Sequence, residues 1–92
     1  MRVRWLSRAA DDLEHLHAYI AKDNPEVAAG EAGKVVEAVK HLGDYPASGR
    51  PGRVPGTREL VISRYIVAYR VKDGVVQILR VLHAARKWPE SL

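Results

Sequence analysis

Tyr65-Ile66-Val67-Ala68-Tyr69-Arg70-Val71-Lys72-Asp73-Gly74-Val75-Val76-Gln77-Ile78-Leu79-Arg80-Val81-Leu82 is the stretch that decides the fold. Two apolar runs, rich in β-branched and aromatic residues, flank Asp73-Gly74. Both residues of that pair tolerate positive φ, so the stretch predicts a tight β-hairpin with strands over 65–71 and 75–82. Under strict alternation the second arm is apolar on both faces, with Val75, Leu79 and Val81 on one side and Val76, Ile78 and Leu82 on the other. A strand of that kind belongs inside a sheet, covered on one face by helices and on the other in part by the tail or a partner. Residues 57–62 predict one more strand, joined by a turn at Ser63-Arg64, so the second half of the chain is a three-stranded meander.

Before it, residues 43–56 carry Pro46, Gly49, Pro51, Gly52, Pro55 and Gly56, which predict a structured loop without helix or strand. Further upstream the apolar period changes from 2 to 3.6. Ala28, Ala32, Val35, Val36, Val39 and Leu42 form one helical stripe, opened by Asn24 as cap and Pro25 at the first helical position, and closed by Gly43. Leu13, Leu16 and Ile20 mark an earlier helix over about 7–22. Ser7 is its expected N-cap, with Asp11, Asp12 and Glu14 as charges near its start. The short Asp23-Asn24-Pro25 link folds the two helices back into an antiparallel hairpin. Small residues at the start of the second helix suit close helix packing or a groove for a partner helix. Val3 and Trp5, alternating with Arg2 and Arg4, predict a first strand whose place in the sheet is open. The expected architecture is α+β, a helical hairpin on a mainly antiparallel sheet of about four strands in the order β-α-α-β-β-β.

The chain has 92 residues, room for one domain over 1–92 with a thin core. It has no cysteine, which excludes disulfides and thiolate metal sites, and no apolar run near the ~20 residues of a membrane span. No signal peptide is evident, and a cytoplasmic location is expected. Residues 1–49 carry six Lys/Arg against eight Asp/Glu, a balance of −2, while residues 50–92 carry nine against three, a balance of +6. The basic half suits an anionic partner, or simply keeps sheet edges soluble.

Nucleotide-binding loops, metalloprotease helices and nucleophile elbows are missing from the sequence. His15 and His17 are two apart on a helix and point in different directions, so neither metal nor cofactor is expected. Chemistry concentrates in Arg80-Val81-Leu82-His83-Ala84-Ala85-Arg86-Lys87-Trp88-Pro89. Histidine titrates near neutral pH, arginine holds phosphate through two bonds, and tryptophan stacks on bases. The plainer alternative is that Trp88 and Pro89 fold back over the sheet and His83 is structural.

Several fragments occur in one order: Asn24-Pro25 with its alanines, Gly49-Arg50-Pro51, Gly56-Thr57-Arg58-Glu59-Leu60-Val61, Tyr65-Ile66-Val67-Ala68-Tyr69-Arg70-Val71, Ile78-Leu79-Arg80-Val81-Leu82-His83-Ala84-Ala85-Arg86, and the Trp88-Pro89 tail. Together, over nearly the whole chain, they resemble the RelE/ParE toxins of type II toxin–antitoxin systems, closest to the ParE branch. The resemblance implies a toxin neutralised by a ParD-like or RelB-like antitoxin. It further implies either inhibition of DNA gyrase, as in the ParE branch, or ribosome-dependent mRNA cleavage, as in the RelE branch.

Cleavage needs a base, an acid and cations around one phosphate. Where ribonuclease members carry cations, this chain has Leu60, Ile62, Ile66 and Ala84. The remaining candidates are Arg58, Arg64, Arg80, His83 and Arg86, supported by Tyr65 or Tyr69. Glu59 follows Arg58 on a strand and so faces the other way. The target-binding face is expected to comprise Arg58, Arg80, His83, Arg86 and Trp88, and the antitoxin surface Leu13, Leu16, Ile20, Ala28 and Ala32. A third reading is a non-toxic domain that binds only an antitoxin or a nucleic acid.

Overall fold

The computed structural model describes residues 1–85, 88 and 92. Strand β1 (Arg2–Trp5) leads into helices α1 (Ser7–Ala21) and α2 (Pro25–Asp44). Strands β2 (Arg50–Pro51), β3 (Arg58–Ile62), β4 (Tyr65–Lys72) and β5 (Val75–His83) follow. The strands form one sheet in the order β1-β5-β4-β3-β2. β1 lies parallel to β5, with Arg2 beside Val75 and Trp5 beside Ile78, and every other pairing is antiparallel. β2 is the strand that the Pro- and Gly-rich loop conceals. It is two residues long and sits at the edge, where Pro51 withholds no ladder bond that a central strand would need.

The helices start and stop for local reasons, two of which differ from expectation. Asn24 caps α2 as expected, its Oδ1 accepting from Val27 N at 3.1 Å, with Pro25 next. Ser7 does not cap α1. The chain passes from β1 into α1 without a turn, so Leu6 occupies the cap position, its N donating to Ile78 O at 3.0 Å and its O accepting from Ala10 N. Asp11 and Asp12 consequently lie beyond the first turn rather than at the helix start. Gly43 is not a C-cap either, since α2 runs on to Asp44. A Cβ there would stand 2.8 Å from Met1 O, and the Met1 amino group donates to Gly43 O at 2.7 Å. Glycine at 43 lets the β1 segment approach the helix.

One sheet face packs on the helices through Ala9, Val35, Val39 and Leu42 against Val67, Tyr69, Val76, Ile78 and Val81. The β5 members of that set do not follow strict alternation. A bulge explains it: Ala68 pairs with Arg80 and Tyr69 with Ile78, leaving Leu79 as an extra residue. Up to Ile78 the even positions of β5 face the helices, and beyond the bulge Val81 does. Ile66, Ala68 and Leu82 are buried as well, outside that cluster.

The loop after α2 is tied to the sheet by Tyr69. Its fully buried hydroxyl accepts from Gly49 N at 2.9 Å and donates to Pro46 O at 2.8 Å. Tyr69→Phe orphans both backbone groups and is expected to destabilise the protein by about 2 kcal/mol in urea unfolding. A loss under about 0.5 kcal/mol would mean that water replaces the hydroxyl without cost. At the β3–β4 turn, Ser63 holds a φ of +55°, a region that favours glycine. Ser63→Gly should therefore raise stability by about 0.5–1 kcal/mol, moving the melting midpoint up a few degrees. A lowered midpoint would show that the serine side chain supports the turn.

Candidate functional site

Of the residues expected to form one target face, the four described make separate contacts. Arg58 shares a face with its register partner Tyr69, and its Nη1 donates to Gly49 O at 2.8 Å, with a longer contact to Ala47 O. It pins the loop after α2. Arg80 is held by Asp12 of α1, Nε to Oδ2 at 2.7 Å and Nη2 to Oδ1 at 3.0 Å, and only 15% of its side chain is exposed. Those bonds push its pKa up against the opposing effect of burial. Asp12 is thus a clamp rather than a helix-start charge, and Arg80 is not a free cation. Arg86 lies outside the described residues.

His83 ends β5 in an exposed position. Its Nδ1 accepts from Ala85 N at 3.1 Å, and its ring meets that of Tyr65 edge-on at 5.6 Å. Trp88 lies elsewhere, half-buried beneath the Arg53 guanidinium at 4.0 Å.

Behind Arg53 stands Glu59, 3% exposed, which the sequence marks only as facing away from Arg58. It faces away from Arg58, beside Ala68. Its carboxylate accepts from Arg50 Nη2 at 3.2 Å, Arg53 N at 2.9 Å and Arg53 Nε at 3.2 Å. Burial alone pushes a carboxyl pKa up, but these donors outweigh it and the Glu59 value lies below the ordinary 4.5. Glu59 brings one charge against two guanidiniums, each about half exposed, so it holds Arg50 and Arg53 in place while the cluster keeps a net positive charge.

What the fold does bring together is a cleft of about 710 Å³. It opens between α1, the first turns of α2, the β3–β4 turn and the end of β5. Leu16, Ile20, Val27 and Val81 supply apolar wall, and Glu31, Arg64, Tyr65, His15 and His83 supply polar groups. Of the expected antitoxin contacts, Leu16 and Ile20 line this cleft. Leu13 packs against the core, Ala28 is fully buried and Ala32 half-buried, so Ala28 presents no surface to a partner. Tyr19 and Val27 stand at the cleft with 76% and 48% of their surface exposed. Apolar side chains that open to water beside a cleft signal a binding surface, and neither was singled out by periodicity because both fall off the core stripe. Among the described residues no helix is long and apolar enough to cross a membrane.

A helical hairpin on one face of a five-stranded sheet, with a partly apolar cleft at one end, defines a small α+β binding domain. Similar proteins narrow the class. Residues 3–88 match the family described as "ParE toxin of type II toxin-antitoxin system, parDE". The chain is 47% identical over 93 residues to the Y4kP protein of Sinorhizobium fredii, covering 99% of this chain and 96% of that one. It is 35% identical over 85 residues to toxin RelE2 of Caulobacter vibrioides, covering 92% and 97%. Among solved structures it resembles a chain of the chromosomal ParDE system of P. aeruginosa, with 34% identity, TM-score 0.80 and 90% and 95% coverage. It also resembles a chain of the RelBE2 toxin–antitoxin complex of Mycobacterium tuberculosis, with 32% identity, TM-score 0.65 and 89% and 95% coverage. This chain belongs to the ParE toxin family of type II toxin–antitoxin systems, within the RelE/ParE superfamily.

Proposed function

We propose that this toxin acts in the cytoplasm by inhibiting DNA gyrase and is neutralised by a cognate antitoxin. The observation that carries the non-hydrolytic reading is the state of its arginines. Arg80 is paired with Asp12, Arg58 is bound to backbone carbonyls of the 47–49 segment, and Arg50 and Arg53 share the single charge of Glu59. A ribonuclease needs cations free to stabilise charge developing on one phosphate, and a cation already paired gives little differential stabilisation. Among the described residues His83 lines the cleft with Tyr65 and Arg64, and none of those four arginines lines it. A toxin that works by occupying a protein target has no such requirement. The partner is supported by the family and by the solved complexes of its relatives, ParDE and RelBE2.

The competing reading is mRNA cleavage at the ribosome. It draws on His83, which is exposed, and on Tyr65, whose phenol holds its proton more tightly than usual through burial and then through the charge of Glu31. A supercoiling assay with purified gyrase separates the two. Inhibition that the antitoxin reverses supports the gyrase reading. Growth arrest without inhibition, accompanied by cleaved mRNA that disappears in His83→Ala, overturns it. Soluble folded protein that causes no arrest in a sensitive host would leave a binding module with no toxicity.

A further inference from the structure

The cleft contains one group that the fold leaves unfinished. Glu31, on α2, uses Oε1 to accept from Lys34 Nζ at 3.3 Å, while its Oε2 is buried with no hydrogen-bond partner. A carboxylate oxygen withdrawn from water without a donor is costly, and folded proteins rarely keep one without a reason. Its surroundings fit a specific visitor. Leu16, Ile20 and Val27 offer apolar wall for a methylene stem, and the Tyr65–His83 pair adds aromatic surface beside the acid.

Resting on the toxin–antitoxin reading above, we infer that this cleft is a socket for one lysine or arginine side chain of the antitoxin's toxin-binding segment, with Glu31 as the receiving carboxylate. The charge complementarity is set by the chain itself. An acidic antitoxin residue would be repelled by the carboxylate, whereas a basic one, met by a turn of the part-exposed Glu31 side chain, supplies the missing donor through a charge-assisted bond. Arg64, exposed at the turn across the cleft, is the intramolecular rival for the same oxygen. Arg64→Ala should therefore leave antitoxin affinity unchanged or improve it.

The test uses the toxin with the antitoxin encoded beside it. Glu31→Gln, nearly isosteric, is expected to raise the dissociation constant about 10- to 100-fold. The free variant should melt at the same temperature or higher, because a charged group with one sheltered, unpartnered oxygen is replaced by a neutral amide and the exposed Lys34 pair contributes little. One antitoxin Lys or Arg should lose as much affinity when replaced by alanine against the wild-type toxin, and about 2-fold or less against Glu31→Gln. Val27→Asp, at an exposed position on the same cleft, controls for the surface as a whole.

If Val27→Asp weakens binding and Glu31→Gln does not, the cleft is the docking site but Glu31 is no socket, and the inference fails. If neither weakens binding, the antitoxin docks elsewhere and the inference fails while the toxin reading stands. An antitoxin that does not bind the wild-type toxin at all overturns both.

Discussion

Asp12→Ala is expected to lower the stability of the free protein by about 3–5 kcal/mol, because it strands a largely buried arginine and a backbone donor together. The cause lies in where β1 stops. β1 pairs with β5 only as far as Ile78, whose carbonyl takes the Leu6 N–H. Beyond it β5 has no strand on that side, and Val81 N would face none. Asp12 fills the gap from α1: its Oδ2 accepts from Val81 N at 2.9 Å and from Arg80 Nε, while Oδ1 takes Nη2. The two side chains are only 15% and 12% exposed, so water cannot readily substitute. In a domain of this size the loss corresponds to a fall in melting midpoint of roughly 15–30 °C.

Arg80→Ala should cost a comparable amount by stranding the carboxylate, and the double variant less than the sum of the two. A midpoint within about 3 °C of wild type for Asp12→Ala would dismiss the clamp. The pair also decides how Arg80 is read in toxicity assays. Loss of growth arrest in both single variants places Arg80 in the scaffold, whereas loss in Arg80→Ala alone, with folding intact, places it against the target.

This clamp shows where sequence reading succeeds and where it stops. The hairpin at Asp73-Gly74, the Asn24-Pro25 start of α2 and the helical stripes are local patterns, legible because turn chemistry and periodicity act over a few residues. The bulge at Leu79 was not, since strict alternation gives the opposite face for Val81, and nothing within β5 announces the extra residue. β2 was hidden because Gly and Pro at an edge look the same as a loop. The site suffered more than the fold. A lysine or arginine read from a sequence counts as a free cation, yet its partner can lie far along the chain: Asp12 is 68 residues from Arg80. Glu59 was recognised only as facing away from Arg58, which is correct and uninformative until Arg50 and Arg53 are seen to converge on it. Leu16 and Ile20 were read as antitoxin contacts and His83 as part of a separate target face, and no local pattern showed that the three line one cleft. Tyr19, Val27 and Glu31 carried no signal of either role.

Glu59→Gln is the second large effect, and its signature is a dependence on pH. Glu59 is buried and takes three donors, and its pKa in the folded protein lies below the unfolded value of about 4.5. A depressed folded pKa contributes stability that is fully present above the unfolded value and is lost as pH falls through the folded one. At pH 7 the glutamine variant should therefore be less stable by about 1.5–3 kcal/mol, the scale of hydrogen bonds to a charged group. In urea titrations from pH 7 to pH 3 that gap should narrow below pH 4.5, because the wild type loses the contribution and the variant never had it. A gap constant across the whole range would mean that Glu59 acts through shape and not through charge. The same substitution reaches Trp88. Arg53 lies over the indole at 4.0 Å and is held there by Glu59, so loosening it should move the Trp88 emission to the red in a Trp5→Phe background. Unchanged emission would show that Trp88 is seated by other contacts. A red shift accompanied by loss of growth arrest, with antitoxin affinity preserved, would tie the position of Trp88 to action on the target and make Glu59 its positioning residue.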